Sequence, residues 1–251
     1  MPLHPPPPNL NPPASAPHPP PNPNSVPPPS PQAMAMMRSH YEGTALDMAG
    51  QTIDGQTDVG AANAAIPYRS HPLTWSTTAV PGSTFLNERS ISTQQTGWNF
   101  VAVTRGWLPE PIKGVLWFGV DDSATTVRLP VYSSATAVAP AFYGKGPQDG
   151  VTPPMMVFDP STAFYAFNLV ANWAYSRWSA MYPEILQAIT DKEEAFGQAV
   201  LLMDEKATGM LEAGQSSAEV VSMLTQWSAQ AGQQLVADWN ALFGRLFVKF
   251  R

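Results

Sequence analysis

The uneven distribution of proline constrains this chain more than any other feature of its sequence. Sixteen of the 28 prolines fall within residues 1–32, and no charged residue precedes Arg38. This leader has too few hydrophobic side chains to offset the entropy that is lost when a chain orders. We therefore predict that residues 1–33 form a disordered, proline-rich arm with polyproline II character. The remaining residues, 34–251, are enough for one large domain.

The absence of cysteine excludes several kinds of site. The sequence has no cysteine and only four histidines, so it encodes no disulfide, no thiolate zinc site and no cysteine nucleophile. No two histidines have the spacing of metal ligands, and we expect no metal or other cofactor. The net charge of −6 argues against nucleic acid as the main partner, because that role needs a clustered basic surface.

Apolar stretches in the chain are short. The longest, such as Gly114–Val120, fall far below the roughly 20 residues of a membrane-spanning helix, so we expect no membrane association. The N-terminus has neither the basic region nor the continuous apolar region of a secretory signal. No feature identifies a compartment, and the cytoplasm is the default assignment.

The first part of the globular region, 34–158, is predicted to consist mainly of strands and loops. A short helix is predicted over 34–48. Residues 97–105 are apolar on both faces in the middle of the segment, and residues 115–120 are a continuous apolar run. Both patterns are typical of strands that are covered on both faces.

A β-hairpin is predicted over 115–132. Asp121-Asp122-Ser123 has the composition of a turn, and residues 125–132 alternate so that Arg128 falls on a polar face. Pro130 lacks a backbone N–H, which places the second strand near an edge of its sheet.

The second part, 159–251, has the apolar period of helices. Asp159, followed by proline, predicts a helix start, with a helix over 161–182 that Pro183 ends or bends. A second helix is predicted over 184–211.

Ser216 and Glu219 have the spacing of a capping box, which predicts the start of a third helix. The final residues carry no stop signal, so we expect the chain to end within an element. The apolar stripe of the third helix is Val220, Leu224, Trp227, Ala231, Leu235, Trp239 and Leu242.

Several short motifs in a fixed order indicate a family. They are Arg38-Ser-His-Tyr-Glu-Gly-Thr44 with Asp47, Pro67-Tyr-Arg69 followed by Pro72-Leu-Thr-Trp75, Gln94-Gln-Thr-Gly-Trp98, Leu116-Trp-Phe-Gly-Val-Asp-Asp122, Pro130-Val-Tyr132, and Phe167-Asn-Leu-Val-Ala-Asn172 with Tyr175-Ser-Arg-Trp178. With these motifs, the chain from about Met37 to Arg251 resembles the dipeptidase A-type cysteine dipeptidases of the N-terminal-nucleophile hydrolase superfamily.

The resemblance implies an α+β fold, a four-layer αββα sandwich with mainly antiparallel sheets. It also implies hydrolysis of dipeptides by a cysteine at the mature N-terminus. The thiol of that cysteine attacks the scissile carbonyl, its own α-amino group acts as the general base, and preorganised donors stabilise the oxyanion.

The chain departs from the family at the residue that this chemistry requires. In the family the cysteine lies in a segment ahead of the matched region, and here the proline-rich leader stands in that place. We therefore expect a partial domain, inactive as encoded, of a cysteine-type exopeptidase family. Loss of the N-terminal strands is expected to leave sheet edges and apolar faces uncovered.

Six polar residues are candidates for a substrate or oxyanion site. An acid and a histidine could bind a substrate amine or exchange a proton, the alternative being hydrogen bonding on a helix surface. Amides and a hydroxyl at a strand start could donate to an oxyanion or only satisfy the backbone there. An arginine could bind a carboxylate or form a surface ion pair. In the same order these residues are His40 and Glu42; Gln95, Thr96 and Asn99; and Arg105.

Two alternatives concern the leader. In the first, the chain is a non-catalytic fragment or pseudoenzyme, and the proline runs 5–8 and 27–29 bind an SH3, WW or EVH1 domain. In the second, the leader is a mistaken translation of upstream DNA. Adjacent Asp121 and Asp122 could also form a carboxylate pair, although a turn is the preferred interpretation. The sequence does not indicate an oligomeric state.

Overall fold

The computed structural model describes residues 31–42, 44, 74–76, 84–86, 90–143 and 156–251. Almost all of the predicted arm therefore lies outside the described residues. Single 3₁₀ turns occur at Glu110–Ile112 and Pro140–Phe142. The helices and strands of the described residues are α1 (Pro31–Met36), β1 (Thr74–Ser76), β2 (Thr84–Leu86), β3 (Trp98–Thr104), β4 (Gly114–Val120), β5 (Leu129–Tyr132), α2 (Ala163–Ser176), α3 (Trp178–Glu212) and α4 (Ser217–Lys249).

The first helix is shorter than the one predicted over 34–48. It ends at Met36, and Tyr41 adopts a left-handed backbone conformation with φ of 64°, which a right-handed helix cannot contain. The N–H of Thr44 donates to the carbonyl of Tyr41 at 3.1 Å. The segment after α1 is therefore a turn as far as it is described, and residues 45–48 lie outside the described part.

Three strands form an antiparallel sheet in the order β3-β4-β5. The strands predicted over 97–105 and 115–120 are confirmed as β3 and β4. The hairpin is confirmed as well, since Trp117 of β4 pairs with Pro130 of β5. Among the described residues β5 is an edge of this sheet, as its proline predicts. The strands β1 and β2 form a separate antiparallel pair.

The strand predicted over 125–132 is partly wrong. Only residues 129–132 are a strand, and the preceding segment is an irregular, buried chain. Thr126 and Arg128 are fully buried, not exposed on a polar face. Alternation misleads here because distant segments satisfy the polar groups of this buried chain. Arg38 donates to the Thr126 carbonyl, and Glu193 accepts from the Arg128 N–H.

The two faces of the three-stranded sheet differ in burial. On one face Val115 and Trp117 lie in the hydrophobic core. On the other face Trp98 is 61% exposed and Phe100 is 43% exposed. The ring of Trp98 stacks on Phe100 and on Phe118, with ring centroids 5.7 and 6.2 Å apart. One face thus meets the helices, and the other carries a partly exposed aromatic cluster.

The boundary between α2 and α3 does not fall at the predicted proline. The helix predicted over 161–182 breaks at Arg177, which has φ of −153°, and Pro183 lies inside α3. The start also differs, because the Asp159 side chain accepts from the Ser161 N–H at 2.9 Å in a turn and α2 begins at Ala163.

The third predicted helix is confirmed as α4. The N–H of Glu219 donates to Ser216 Oγ at 3.3 Å, and the N–H of Ser216 donates to Glu219 Oε2 at 2.8 Å, which completes the capping box. At Gly232 the helix approaches the sheet so closely that an added Cβ atom would lie 3.0 Å from Leu129 Cδ2 and 2.9 Å from Ala139 Cβ.

The long helices α2, α3 and α4 pack on one another and share one hydrophobic core with the sheet. Phe167 of α2 meets Trp239 of α4 at 5.3 Å between ring centroids. Helices and a small antiparallel sheet make the described part of the chain an α+β structure.

Candidate functional site

A buried polar turn follows β4. Asp121, Asp122 and Ser123 are all at most 4% exposed. Asp121 has a left-handed backbone with φ of 68°, a conformation that aspartate tolerates better than most residues. Its N–H donates to the carbonyl of Gly97 at 2.8 Å. The predicted turn is confirmed, and both of its carboxyl groups lie inside the protein.

Asp122 is the main acceptor of this turn. Its Oδ1 accepts from Ser92 Oγ at 3.1 Å and from the N–H of Ala124 at 2.9 Å, and its Oδ2 accepts from the Tyr175 hydroxyl. Burial raises the pKa of Asp122, while these donors act to lower it. The carboxyl group therefore joins the turn to α2 and to the loop before β3.

Asp121 faces α2. Asn168 Nδ2 lies 3.4 and 3.3 Å from the two carboxyl oxygens, and Asn168 accepts from Asn172 Nδ2 at 2.8 Å. Burial raises the pKa of Asp121 to about 7, with the Asn168 donor lowering it and the charge of Asp122 raising it. Such a carboxyl group can take up or release a proton near neutral pH, and the two amides connect it to the surface.

Of the three candidates near the start of β3, Asn99 joins this turn. It is 5% exposed, and its Nδ2 donates to the carbonyl of Asp121 at 3.5 Å. Its Oδ1 accepts from none of the described residues. Gln95 and Thr96 lie in the turn before β3, where Gln95 is exposed and Thr96 is half-buried. The role predicted for these three donors stays a prediction.

His40 and Glu42 contact each other in the turn after α1. His40 Nδ1 lies 3.1 Å from Glu42 Oε1, and the His40 N–H donates to Glu42 Oε2 at 2.9 Å. His40 is buried, edge-on to Trp178 at 5.5 Å, whereas the Glu42 side chain is 58% exposed. A buried imidazole thus holds a carboxylate that solvent reaches.

Arg105 lies at the opposite end of β3 from the buried turn, away from the other candidates. Its Nη1 donates to Asp204 Oδ2 at 2.6 Å, and its Nη2 donates to Asp204 Oδ1 at 3.2 Å and to the carbonyl of Ile112. Tyr132 also donates to Asp204 Oδ1, at 2.8 Å. The ion pair is buried, not at the surface as the strand-end position suggests.

Two buried arginines that the sequence did not single out share one carboxylate. Arg38 Nη2 lies 2.5 Å from Glu193 Oε1, and the Arg128 N–H donates to the same oxygen at 3.1 Å. Burial and the charge of Arg38 lower the pKa of Arg128 to about 10. No local pattern could reveal this cluster, because Glu193 is 155 positions from Arg38.

A cavity of about 1070 Å³ lies between the α1 region and α3. On α3 its wall repeats every three or four residues, as one face of a helix does. Arg38 and Glu42 line the opposite side, and Trp117 contributes from β4. The α3 residues of that repeat are Leu186, Thr190, Glu193, Gly197 and Leu201.

The described part of the chain offers neither a metal-binding cluster nor a membrane-spanning helix. In those residues no group of three His, Cys, Asp or Glu side chains is placed to hold a metal ion. Nor does any helix there have the length and apolar character needed to cross a membrane.

Comparison with known proteins identifies a family. The family model of peptidase family C69 matches residues 32–191. This range includes the three-stranded sheet, the buried turn, α2 and the His40–Glu42 pair. No curated protein matches the chain.

Proposed function

The chain belongs to peptidase family C69, the dipeptidase A family, and on that premise we propose that it binds dipeptides without cleaving them. The proposal is carried by the family match over residues 32–191 in a 251-residue sequence that has no cysteine. Hydrolysis of the kind that the resemblance implies needs a cysteine thiol to attack the scissile carbonyl. This polypeptide cannot supply one.

Among the six candidates, we assign substrate contact to His40 and Glu42. The support is that Glu42 lines the cavity and that His40 holds its carboxylate in place. A partly exposed carboxylate can accept a hydrogen bond from the peptide N–H of a bound dipeptide. Asn99 remains the candidate for an oxyanion donor, and we assign Arg105 to stabilising the fold.

We also propose that the three-stranded sheet, together with the helices packed on it, forms one half of a four-layer sandwich. The support is the aromatic cluster of Trp98, Phe100 and Phe118, because contiguous exposed apolar surface marks an interaction site. Packing of a second antiparallel sheet on this face would bury the cluster.

Complementation tests the proposed function. The chain is mixed, or co-expressed, with the cysteine-bearing N-terminal segment of a complete family member, and dipeptide hydrolysis is measured. We expect hydrolysis by the mixture that neither component shows alone. A matched segment with its cysteine changed to alanine should give none. Lack of activity in a mixture that forms a stable complex would contradict the proposal.

The proline runs of the leader support a second candidate function, recruitment of an SH3, WW or EVH1 domain as ligand. Full-length chain and a variant without residues 1–30, which keeps α1 intact, are compared in a pull-down against a panel of such domains. The proposal expects capture by the full chain only. Equal capture by both chains, or capture by neither, would contradict it.

A further inference from the structure

We propose that the cavity between α1 and α3 binds a short apolar peptide, with Arg38 holding its C-terminal carboxylate and Glu194 accepting from its ammonium group. The proposal rests on the proposed function for the choice of a peptide as the ligand. The two residues and their roles follow from the contacts of the cavity.

Arg38 presents unused donors to the cavity. Its Nη2 donates to Glu193 and, at 3.3 Å, to the carbonyl of Thr126, whereas Nη1 and Nε donate to none of the described residues. The side chain is 8% exposed and lines the cavity. A buried guanidinium with unused donors can give a charge-assisted hydrogen bond to a carboxylate.

The charges around Arg38 leave an excess of one positive charge. Arg38 and Arg128 share the single carboxylate of Glu193. The full burial of Arg128 makes that excess costly unless an anion accompanies it. A ligand carboxylate beside Arg38 would balance the cluster.

The rim of the cavity is acidic, which disfavours a purely anionic ligand. Glu42 accepts from His40 and Ser39, and Asp191 accepts from Gln187 Nε2 at 2.7 Å. Glu194, exposed on α3, makes no hydrogen bond or ion pair with any described residue. A ligand that carries a carboxylate at one end and an ammonium group at the other complements both the positive charge of the interior and the negative charge of the rim.

The space between these charges suits apolar side chains. Its volume, about 1070 Å³, lies just above the range of about 300–1,000 Å³ that is usual for small-ligand pockets. A peptide of a few residues fits this space better than a single amino acid. The apolar lining is Met34, Met36, Trp117, Tyr182, Leu186 and Leu201.

Isothermal titration of the full chain with three probes tests the proposal. The probes are the dipeptide Leu-Leu, its C-terminal amide and its N-acetyl derivative. We expect the amide to bind at least about tenfold more weakly, because a charge-assisted hydrogen bond is lost. We expect the N-acetyl peptide to bind several-fold more weakly, since the rim is open to solvent.

Two variants locate the binding. Thr190→Trp puts a large side chain into the cavity from an exposed position, so Leu-Leu binding should be lost while the melting temperature stays unchanged. Glu194→Gln should weaken Leu-Leu but leave the N-acetyl peptide unaffected. Glu205→Gln is the matched control, an exposed carboxyl on the same helix that does not line the cavity.

Equal affinity for the three probes, binding that survives Thr190→Trp in a folded protein, or no binding at millimolar peptide would each overturn the proposal. Free leucine is measured in the same samples. Its release would contradict the proposed lack of hydrolysis and leave the binding result intact, so the two failures are distinguishable.

Discussion

Arg105 and Asp204 form a buried ion pair that connects the end of β3 to the C-terminal half of α3, with Nη1 and Oδ2 2.6 Å apart. Removing one partner leaves the other charge buried without compensation. We predict that Asp204→Leu lowers the free energy of unfolding by about 3–5 kcal/mol, measured by urea denaturation.

The double variant Arg105→Met/Asp204→Leu is the control for this pair. It removes both charges, so it should lose less stability than Asp204→Leu alone. A double variant whose loss equals the sum of the two single losses would show that the charges do not interact.

Because the pKa of Asp121 is raised, we predict that the free energy of unfolding falls between acid and neutral pH. The folded state keeps its proton up to about pH 7, whereas the unfolded chain releases it near the ordinary value of 3.8. Between these values the folded state binds more protons, so the free energy of unfolding decreases as pH rises, by about 1.4 kcal/mol per pH unit for one group. The raised pKa of Asp122 acts in the same direction.

The variant Asp121→Asn shows how much of this pH dependence comes from Asp121. Asparagine tolerates the left-handed backbone and does not titrate, so the variant should have a flatter stability curve between pH 5 and 7 and gain stability at pH 8. Parallel curves for the wild type and the variant would show that Asp121 does not cause the slope.

Gly232 is needed for the contact between α4 and the sheet. Alanine favours a helix over glycine by about 1 kcal/mol, but here its Cβ would lie 2.9 Å from Ala139 Cβ, and overpacking costs about 1–3 kcal/mol. We predict that Gly232→Ala destabilises the protein. Gly244→Ala, in the same helix with no atom within 4 Å of the new Cβ, should stabilise it. Equal effects in urea denaturation would contradict the packing argument.

Because the aromatic cluster of Trp98, Phe100 and Phe118 is partly exposed, we predict that the protein binds a hydrophobic dye. Trp98→Ser combined with Phe100→Thr should reduce the fluorescence of 1-anilinonaphthalene-8-sulfonate, because the contiguous apolar face is removed. Trp107→Ser is the matched control, since Trp107 is as exposed as Trp98, at 61%, but lies after the end of β3. Equal reductions by the two variants would argue against a special role for this face.

Short-range patterns in the sequence predicted much of the fold. The apolar runs of β3 and β4 and the capping box of Ser216 and Glu219 depend on neighbouring residues. The break at Arg177 could not be predicted, because the apolar period continues across it. Tyr175 and Trp178, one on each side of the break, stack with ring centroids 4.9 Å apart.

The candidate site was less predictable, because its contacts join residues far apart in the chain. His40 and Glu42 are two positions apart, and a short motif sufficed to single them out. Arg38 belonged to that motif, but its role depends on Glu193, which only the packing of α3 brings near it. Buried polar clusters of this kind have no local periodicity.

Hydrolysis by the chain alone tests the central proposal, that this member of peptidase family C69 binds dipeptides without cleaving them. The purified chain is incubated with a panel of dipeptides at micromolar protein, and free amino acids are quantified against a mock preparation. We predict that the release equals the mock value, although Leu-Leu binds. The proposal would be contradicted if the amount of free amino acid rose in proportion to the concentration of the chain and the activity co-purified with the chain through two chromatographic steps.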